Sequence, residues 1–273
     1  MILENFKYFG FFDAIEMGLY MVVVGYDFLL FAFFLIMRFR ITKKPYWLFY
    51  SLVFLFLAIA RFFFIAYYFF VPEMSAPKAE IVITLMLTYR LATLFSWLGV
   101  ACFMGILGIL LFPPEMGNEK SKTKSQKFNI PNNLKLAFRI ALIGVPIFIG
   151  FLALILPDNL LMDPDIAKDY NLDIHLITVW GYPAGRLLFL IFVGIFSFLI
   201  PFVFLYLAIK TYGVLRKSYA LNAIGIFLYY LGRILQGLFE IAALPHFKAI
   251  APPLIILCSL LIIVIANSYE QLR

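Results

Sequence analysis

The chain has 273 residues, 64% of them hydrophobic, and a mean hydropathy of +1.00. This composition excludes soluble globular proteins and predicts an all-α, polytopic membrane protein that contacts membrane lipids. The formal net charge is +7, but the basic residues lie between apolar segments, where they set membrane orientation, so we expect no nucleic-acid partner.

Seven apolar segments are long enough to cross a bilayer, which requires about 20 residues each. Together they predict one seven-helix transmembrane domain over residues 1–273, with helices at 14–37, 45–71, 80–111, 135–157, 178–210, 219–243 and 251–269. The stretch 112–134 between the third and fourth helices contains GNEKSKTKSQK, which is polar and lacks apolar periodicity. It therefore predicts a flexible basic loop on the cytoplasmic side.

Basic residues mark alternate connections between these segments. They lie in the first, third and fifth connections: Arg38, Arg40, Lys43, Lys44, Lys120, Lys122, Lys124, Lys127, Lys210, Arg216 and Lys217. The positive-inside rule then places the N-terminus outside and the C-terminus inside, and we expect the membrane to be the plasma membrane. Solvated loops are the ordinary interpretation of such charges, and docking of a cytoplasmic protein partner is the alternative.

A weak internal repeat relates the two halves of the chain. KPYWL begins at Lys44 and KSYAL begins at Lys217, and each is followed by an arginine in the same apolar segment, Arg61 and Arg233. With the fourth helix as a connector, helices one to three match helices five to seven in parallel. The pattern predicts a 3+1+3 repeat.

This layout resembles the broad seven-helix class of opsins, receptors and sugar-exporter-type transporters. The resemblance covers most of the chain as topology, and no motif accompanies it that would transfer a function to particular residues. In an opsin the seventh helix carries the retinal-binding lysine. The seventh segment of this chain, APPLIILCSLLIIVIANS, has no lysine, so we expect no retinal.

Four arginines lie within the predicted spans: Arg61, Arg90, Arg186 and Arg233. Counting about 1.5 Å per residue from the helix ends places all four at a similar depth, in the middle-to-outer half of the bilayer. In YLGRILQGLFE, the residues Arg233, Gln236 and Glu240 share one helix face. Burying charge in hydrocarbon is costly, so these side chains predict a common polar region.

The first helix supplies acidic and aromatic groups for the same region. Glu16, Tyr20 and Asp27 fall on one helical face. The predicted ligand-binding set is Arg61, Arg90, Arg186, Arg233, Gln236, Asp27, Glu240, Glu16, Tyr20, Tyr68, Trp97 and Tyr182.

Two interpretations fit these residues. In the first, an outward-facing pocket lined by arginines binds a small anion or a lipid headgroup, because a guanidinium presents a two-pronged donor to carboxylate or phosphate. In the second, the arginines pair with Asp27, Glu16, Glu240 and tyrosine hydroxyls as a structural ion-pair network.

Missing motifs narrow the chemistry. The two histidines, His175 and His246, lie in predicted outer loops, so we expect no haem, metal or other cofactor. The sequence lacks G-x-S-x-G, H-E-x-x-H and P-loop patterns, and we expect no enzymatic activity. Two candidate functions remain, a receptor or sensor and a secondary transporter. The inner half is poor in polar residues, chiefly Ser51, Asn222 and Asn267, which favours the receptor.

Overall fold

The computed structural model describes residues 9–112, 132–172, 174–241 and 244–268. Seven helices in it are long and apolar enough to cross a membrane, and they indicate an integral membrane protein. They are α1 (Phe11–Thr42), α2 (Pro45–Glu73), α3 (Lys78–Leu111), α4 (Asn132–Ile155), α5 (Ala184–Lys210), α6 (Gly213–Ile241) and α7 (Pro245–Ser268). Most of the predicted loop at 112–134 lies outside the described residues.

A short turn joins α1 to α2. Lys43 has a φ of 55°, in the left-handed region, and its amide donates to the carbonyl of Phe39 at 2.8 Å. Lys44 is extended, and Pro45 occupies the first position of α2, where its missing amide hydrogen costs nothing. Three consecutive residues, Lys43, Lys44 and Pro45, therefore form the turn between α1 and α2.

The end of α1 is π-helical. Residues Phe33–Phe39 adopt this wider helix within α1, and Ala66–Phe70 do so within α2. The extra residue per turn rotates the following side chains relative to a regular α-helix. Arg38 is consequently buried against the bundle, with the centroid of the Trp47 ring 5.1 Å from its guanidinium carbon.

The connection from α4 to α5 is more structured than the sequence indicates. Two short helices, Asp158–Leu161 and Pro164–Asp169, precede a hairpin of β1 (Thr178–Val179) and β2 (Tyr182–Pro183). Trp180 and Gly181 both have positive φ at its tip, 53° and 80°. The fifth helix therefore begins at Ala184, and the predicted start at 178 is wrong. The apolar composition of TVWGYP hid a turn that Gly181 makes possible.

Two other helices begin earlier than predicted. The sixth begins at Gly213, not at residue 219, and the seventh begins at Pro245, not at residue 251. Both extra turns contain polar residues that a hydropathy window discards, although the helix backbone still satisfies its own hydrogen bonds there.

Six helices close a ring. α1 packs against α2, α2 against α3, α3 against α5, α5 against α6, α6 against α7, and α7 against α1. α4 packs against α3 on the outside of this ring. Polar side chains that point inward from α1, α2, α3, α5 and α6 thus share one interior.

Candidate functional site

Arg90 caps the end of α4. Its guanidinium donates to the carbonyl oxygens of Ala153, Leu154 and Leu156 at 3.2, 2.6 and 2.5 Å, and it forms an ion pair with Asp158 at 2.6 Å. The last carbonyls of a helix lack intrahelical partners and carry partial negative charge. Arg90 therefore has a complete structural explanation, and it points toward α4 instead of the ring interior.

Two further arginines serve the same purpose at other helix ends. Arg38 donates to the carbonyl of Asn267, near the end of α7, at 2.5 Å. Arg139 on α4 donates to the carbonyl of Phe112, directly after α3. Cationic caps at helix C-termini are favourable, and these contacts bind neighbouring helices to one another.

Arg186 is also fully engaged. It donates to the carbonyl of Leu161 at 2.6 Å, to the Asp163 carboxylate at 2.9 Å and to the Tyr67 hydroxyl at 2.8 Å. Its guanidinium carbon lies 4.4 Å from the centroid of the Tyr89 ring. The acid that neutralises it comes from the connection between α4 and α5, not from α1.

Arg61 lies at the junction of α1, α2 and α6. The side chain is buried and stacks on Tyr20, with its guanidinium carbon 4.3 Å from the ring centroid. Arg61 donates to Oε1 of Gln236 at 3.4 Å, and Nε2 of Gln236 donates to Glu16 at 3.3 Å. Gln236 therefore bridges the two charges, and Arg61 also interacts with the Tyr229 hydroxyl.

Arg233 differs from these five arginines. It is partly exposed, and within the described part of the chain its guanidinium has neither a hydrogen bond nor an ion pair. Its electrostatic neighbours are the aromatic hydroxyls of Tyr20, Tyr89, Tyr229 and Tyr230. A guanidinium offers five N–H donors, so Arg233 has donors available for a ligand.

These side chains form one arginine–tyrosine cluster, which we define as Arg61, Arg186, Arg233, Tyr20, Tyr67, Tyr89, Tyr229 and Tyr230. Arg233 is linked to both of the other arginines, because Tyr20 interacts electrostatically with Arg61 and Arg233, and Tyr89 with Arg186 and Arg233. Helices α1, α2, α3, α5 and α6 each contribute to it. The convergence of positive charge and hydroxyl groups suits an oxyanion.

Asp27 is completely buried next to this cluster. Its exposure is 0%, and neither carboxylate oxygen has a hydrogen-bond partner among the described residues. Arg61 acts on it electrostatically without forming an ion pair in the described structure. The Tyr20 hydroxyl is likewise buried, and no described residue forms a hydrogen bond with it.

A hydrogen-bonded network joins the helices at the Arg38 end of the bundle. The Tyr50 hydroxyl donates to Oδ1 of Asn222 at 3.1 Å, and Nδ2 of Asn267 donates to the same oxygen at 3.1 Å. These three residues are almost entirely buried. Because the Asn267 carbonyl also accepts from Arg38, the network ties α1, α2, α6 and α7 together.

The structure brings together some of the predicted site residues and separates others. Glu16, Tyr20, Arg61, Arg233 and Gln236 lie together, with Asp27 and Arg186 adjoining. The rest lie elsewhere or cannot be placed: Arg90 caps α4, Tyr68 is 39% exposed beneath Lys248, Trp97 packs on Phe192 and Phe196, Tyr182 lies in the hairpin, and the Glu240 side chain lies outside the described structure.

Sequence reasoning missed several members of the cluster. Tyr229 and Tyr230 precede Arg233 by four and three residues, so helical spacing alone placed them on its face. Tyr67 and Tyr89 lie in apolar surroundings typical of core aromatics, and no spacing singles them out. Asp163 is separated from Arg186 by 22 intervening positions and a hairpin, which a sequence pattern does not reveal.

Comparison with known proteins finds no counterpart: no family model, no curated protein and no solved structure matches the chain. Within the described residues, no group of three or more histidine, cysteine, aspartate or glutamate side chains is arranged to hold a metal ion. The interpretation of the cluster thus rests on its own geometry.

Proposed function

We propose that this protein is a receptor- or sensor-like membrane protein that binds an oxyanion, either a small anion or an anionic lipid headgroup, at Arg233 and Arg61. The observation that carries the proposal is Arg233, whose guanidinium has no hydrogen bond or ion pair among the described residues. Because the cost of burying an arginine is offset only by partners, donors without partners favour a ligand.

The balance of charge in the cluster supports an anionic ligand. Asp163 neutralises Arg186, and Glu16 reaches Arg61 through Gln236. Arg233 thus remains without a charged partner among the described side chains. Tyrosine hydroxyls around it can donate hydrogen bonds to the same oxyanion, and Arg supplies the two-pronged geometry that carboxylate and phosphate oxygens accept.

The proposed orientation follows from the loops. The N-terminus is outside, the basic connections are inside, and the membrane is the plasma membrane. In this orientation the cluster is reached from the outer side, and the basic connections are available to a cytoplasmic partner protein that would carry the signal.

A purely structural role explains part of the arginine set. Arg90 and Arg186 have caps and acidic partners that account for their charges. Arg233 has no such cap or acidic partner among the described residues, so we prefer a binding site over a purely structural role for it.

A secondary transporter is the second candidate, and two observations favour it. Helices α1 to α3 form one triplet and α5 to α7 the other. The last helix of each triplet contacts the first helix of the other triplet, α3 against α5 and α7 against α1. A parallel 3+1+3 repeat requires this arrangement. In the proposed orientation, the network of Tyr50, Asn222 and Asn267 would close the cytoplasmic end of the bundle. Movement of the triplets around the cluster would then carry the anion across.

Thermal unfolding with and without ligand tests the proposal. Purified protein in phosphatidylcholine nanodiscs is titrated with sulfate, and a parallel sample contains phosphatidylglycerol. We expect one of the two to raise the Tm, because a ligand that binds only the folded state stabilises it. A rise with sulfate identifies a free anion, and a rise with phosphatidylglycerol alone identifies a lipid headgroup.

Two arginine variants make the test specific. Arg233→Gln should abolish the ligand-induced rise, whereas Arg90→Gln should lower the Tm yet keep the rise. If neither ligand raises the Tm of the wild type, the binding proposal is wrong. Sulfate flux into proteoliposomes that depends on Arg233 would select the transporter over the receptor.

A further inference from the structure

Anion binding alone does not explain why the carboxyl of Asp27 is buried. Asp27 is 0% exposed, and neither oxygen has a hydrogen-bond partner in the part of the chain that the structure describes. An ionised carboxylate without partners is among the most unfavourable groups in a protein interior, and a protonated carboxyl is far easier to bury. The Asp27 carboxyl therefore needs either a bound proton or a nearby positive charge to be stable at this buried position.

The groups that face Asp27 come from three helices. Asp27 interacts electrostatically with Arg61 of α2 and with Tyr229 of α6. Tyr20 lies two helical turns earlier on the same face of α1. From α7, which also packs against α1, residues 249–268 contain no Asp, Glu, Lys, Arg or His, and Cys258 is exposed. Among the described residues, Arg61 is the cation that acts on Asp27 and favours its ionised form.

We propose that Asp27 is an exchangeable proton site whose occupancy is coupled to oxyanion binding at Arg61 and Arg233. This inference rests on the proposed function for the coupling, although the proton site itself does not. A proton from water adds to one Asp27 carboxylate oxygen and gives a neutral acid. No bond other than O–H forms, and the release is the reverse reaction.

The coupling follows from Arg61. Its positive charge favours the ionised form of Asp27, since opposite charges attract strongly where water is excluded. An oxyanion bound at Arg61 offsets that charge and thereby favours protonation of Asp27. By thermodynamic reciprocity, protonation of Asp27 leaves Arg61 without a competing negative charge and strengthens anion binding. Anion and proton should therefore bind together.

Infrared spectroscopy tests the proton site without any ligand. Protonated carboxyls have a carbonyl stretching band that carboxylates and amides lack. We expect this band in the wild type at neutral pH or on mild acidification, and we expect Asp27→Asn to lose it. Asp13→Asn is the matched control on the same helix, because the Asp13 carboxylate accepts from the Gly10 amide at the helix start. Wild-type and Asp27→Asn spectra that agree at every pH would overturn the proton site.

Proton uptake on sulfate binding tests the coupling, and sulfate is suitable because it does not itself titrate near neutral pH. In weakly buffered solution, the wild type should take up a fraction of a proton per sulfate bound. The logarithm of its apparent Kd should rise with pH, with a slope that approaches about one over the range where Asp27 titrates. For Asp27→Asn we expect no uptake and a flat profile.

The outcomes separate the two proposals. Sulfate binding with equal proton uptake in wild type and Asp27→Asn would overturn the coupling and leave the binding site intact. Failure of sulfate and of phosphatidylglycerol to bind would overturn the proposed function together with the coupling. The infrared band still decides the proton site in that case.

Discussion

Arg186 donates to three oxygen atoms from two parts of the chain: the Leu161 carbonyl and the Asp163 carboxylate of the connection before α5, and the Tyr67 hydroxyl of α2. Each oxygen would lose a buried partner if the guanidinium were removed, and a group left unpaired costs more than the hydrogen bond contributed. The side chain is therefore a clamp between α2, α5 and the connection that precedes α5. Arg233 in the same cluster has no such set of partners among the described residues, so substitutions at the two positions should differ in kind.

Replacing Arg186 should destabilise the protein. We expect Arg186→Gln to lower the free energy of unfolding by about 2–3 kcal/mol, because a largely buried ion pair is broken and Tyr67 loses its donor. Asp163 is one-third exposed, so Asp163→Asn should cost less. The double variant should be less unstable than the sum of the two, which reveals the pairing. Denaturant unfolding in mixed micelles measures this.

Lys168→Gln is the control for the comparison of the Arg186 and Asp163 single and double variants. Lys168 is an exposed residue in the same connection, and substitutions of isolated exposed charges have small effects. Additive losses in the double variant would show that Arg186 and Asp163 act independently.

At the scale of the helices, α6 and α7 approach each other closely along two glycines. A Cβ atom at Gly225 would lie 2.6 Å from Cγ1 of Ile263, and one at Gly232 would lie 2.8 Å from Cγ1 of Ile256. Backbone carbonyls of α7 lie close behind, at 3.2 and 3.1 Å. Small residues permit such close packing where lipid supplies little hydrophobic drive between helices. The position of Arg233 thus depends on how α6 sits against α7.

Alanine at these glycines should separate α6 from α7. Alanine is normally favoured over glycine in a helix by about 1 kcal/mol, but overpacking against a backbone costs about 1–3 kcal/mol. We therefore expect Gly225→Ala and Gly232→Ala to lower the Tm. Gly194→Ala on α5 is the control, because a Cβ there meets nothing within 4 Å, and it should leave the Tm unchanged or higher. An increase in Tm for all three would refute the close contact.

The sequence predicted the seven helices because hydrocarbon forces each apolar stretch to satisfy its own backbone hydrogen bonds. It also predicted that Arg61 and Arg233 lie together, since both positions follow from depth and helical face. It did not reveal the partner of Arg90, because the carbonyls of Ala153 and Leu156 are backbone groups that every residue carries. Nor did it show that an apolar stretch, TVWGYP, forms a hairpin, since hydropathy does not distinguish a turn of Trp180 and Gly181 from a helix.

At the scale of the whole molecule, the ring places α4 outside, where its extensive contacts are with α3. The basic residues at the helix ends and the acidic connection between α4 and α5 then give the bundle two chemically different ends. The orientation proposed above places the basic end in the cytoplasm, as the positive-inside rule predicts.

Accessibility to a membrane-impermeant thiol reagent should test this orientation. In a background without Cys102 and Cys258, we expect Lys44→Cys to react only after the membrane is permeabilised and Lys168→Cys to react in intact cells. Both lysines are exposed, so burial does not confuse the comparison. The reverse pattern would invert the bundle and place the arginine–tyrosine cluster on the opposite side.

The bond from Arg38 to the Asn267 carbonyl joins the first helix to the seventh. During synthesis α1 emerges long before α7, so a nascent chain holds Arg38 at the membrane without its acceptor until the last helix has been inserted. Other partners can serve in the meantime, such as lipid phosphates or a membrane chaperone. Arrival of α7 replaces them and closes the ring. This contact therefore distinguishes a finished bundle from an unfinished one.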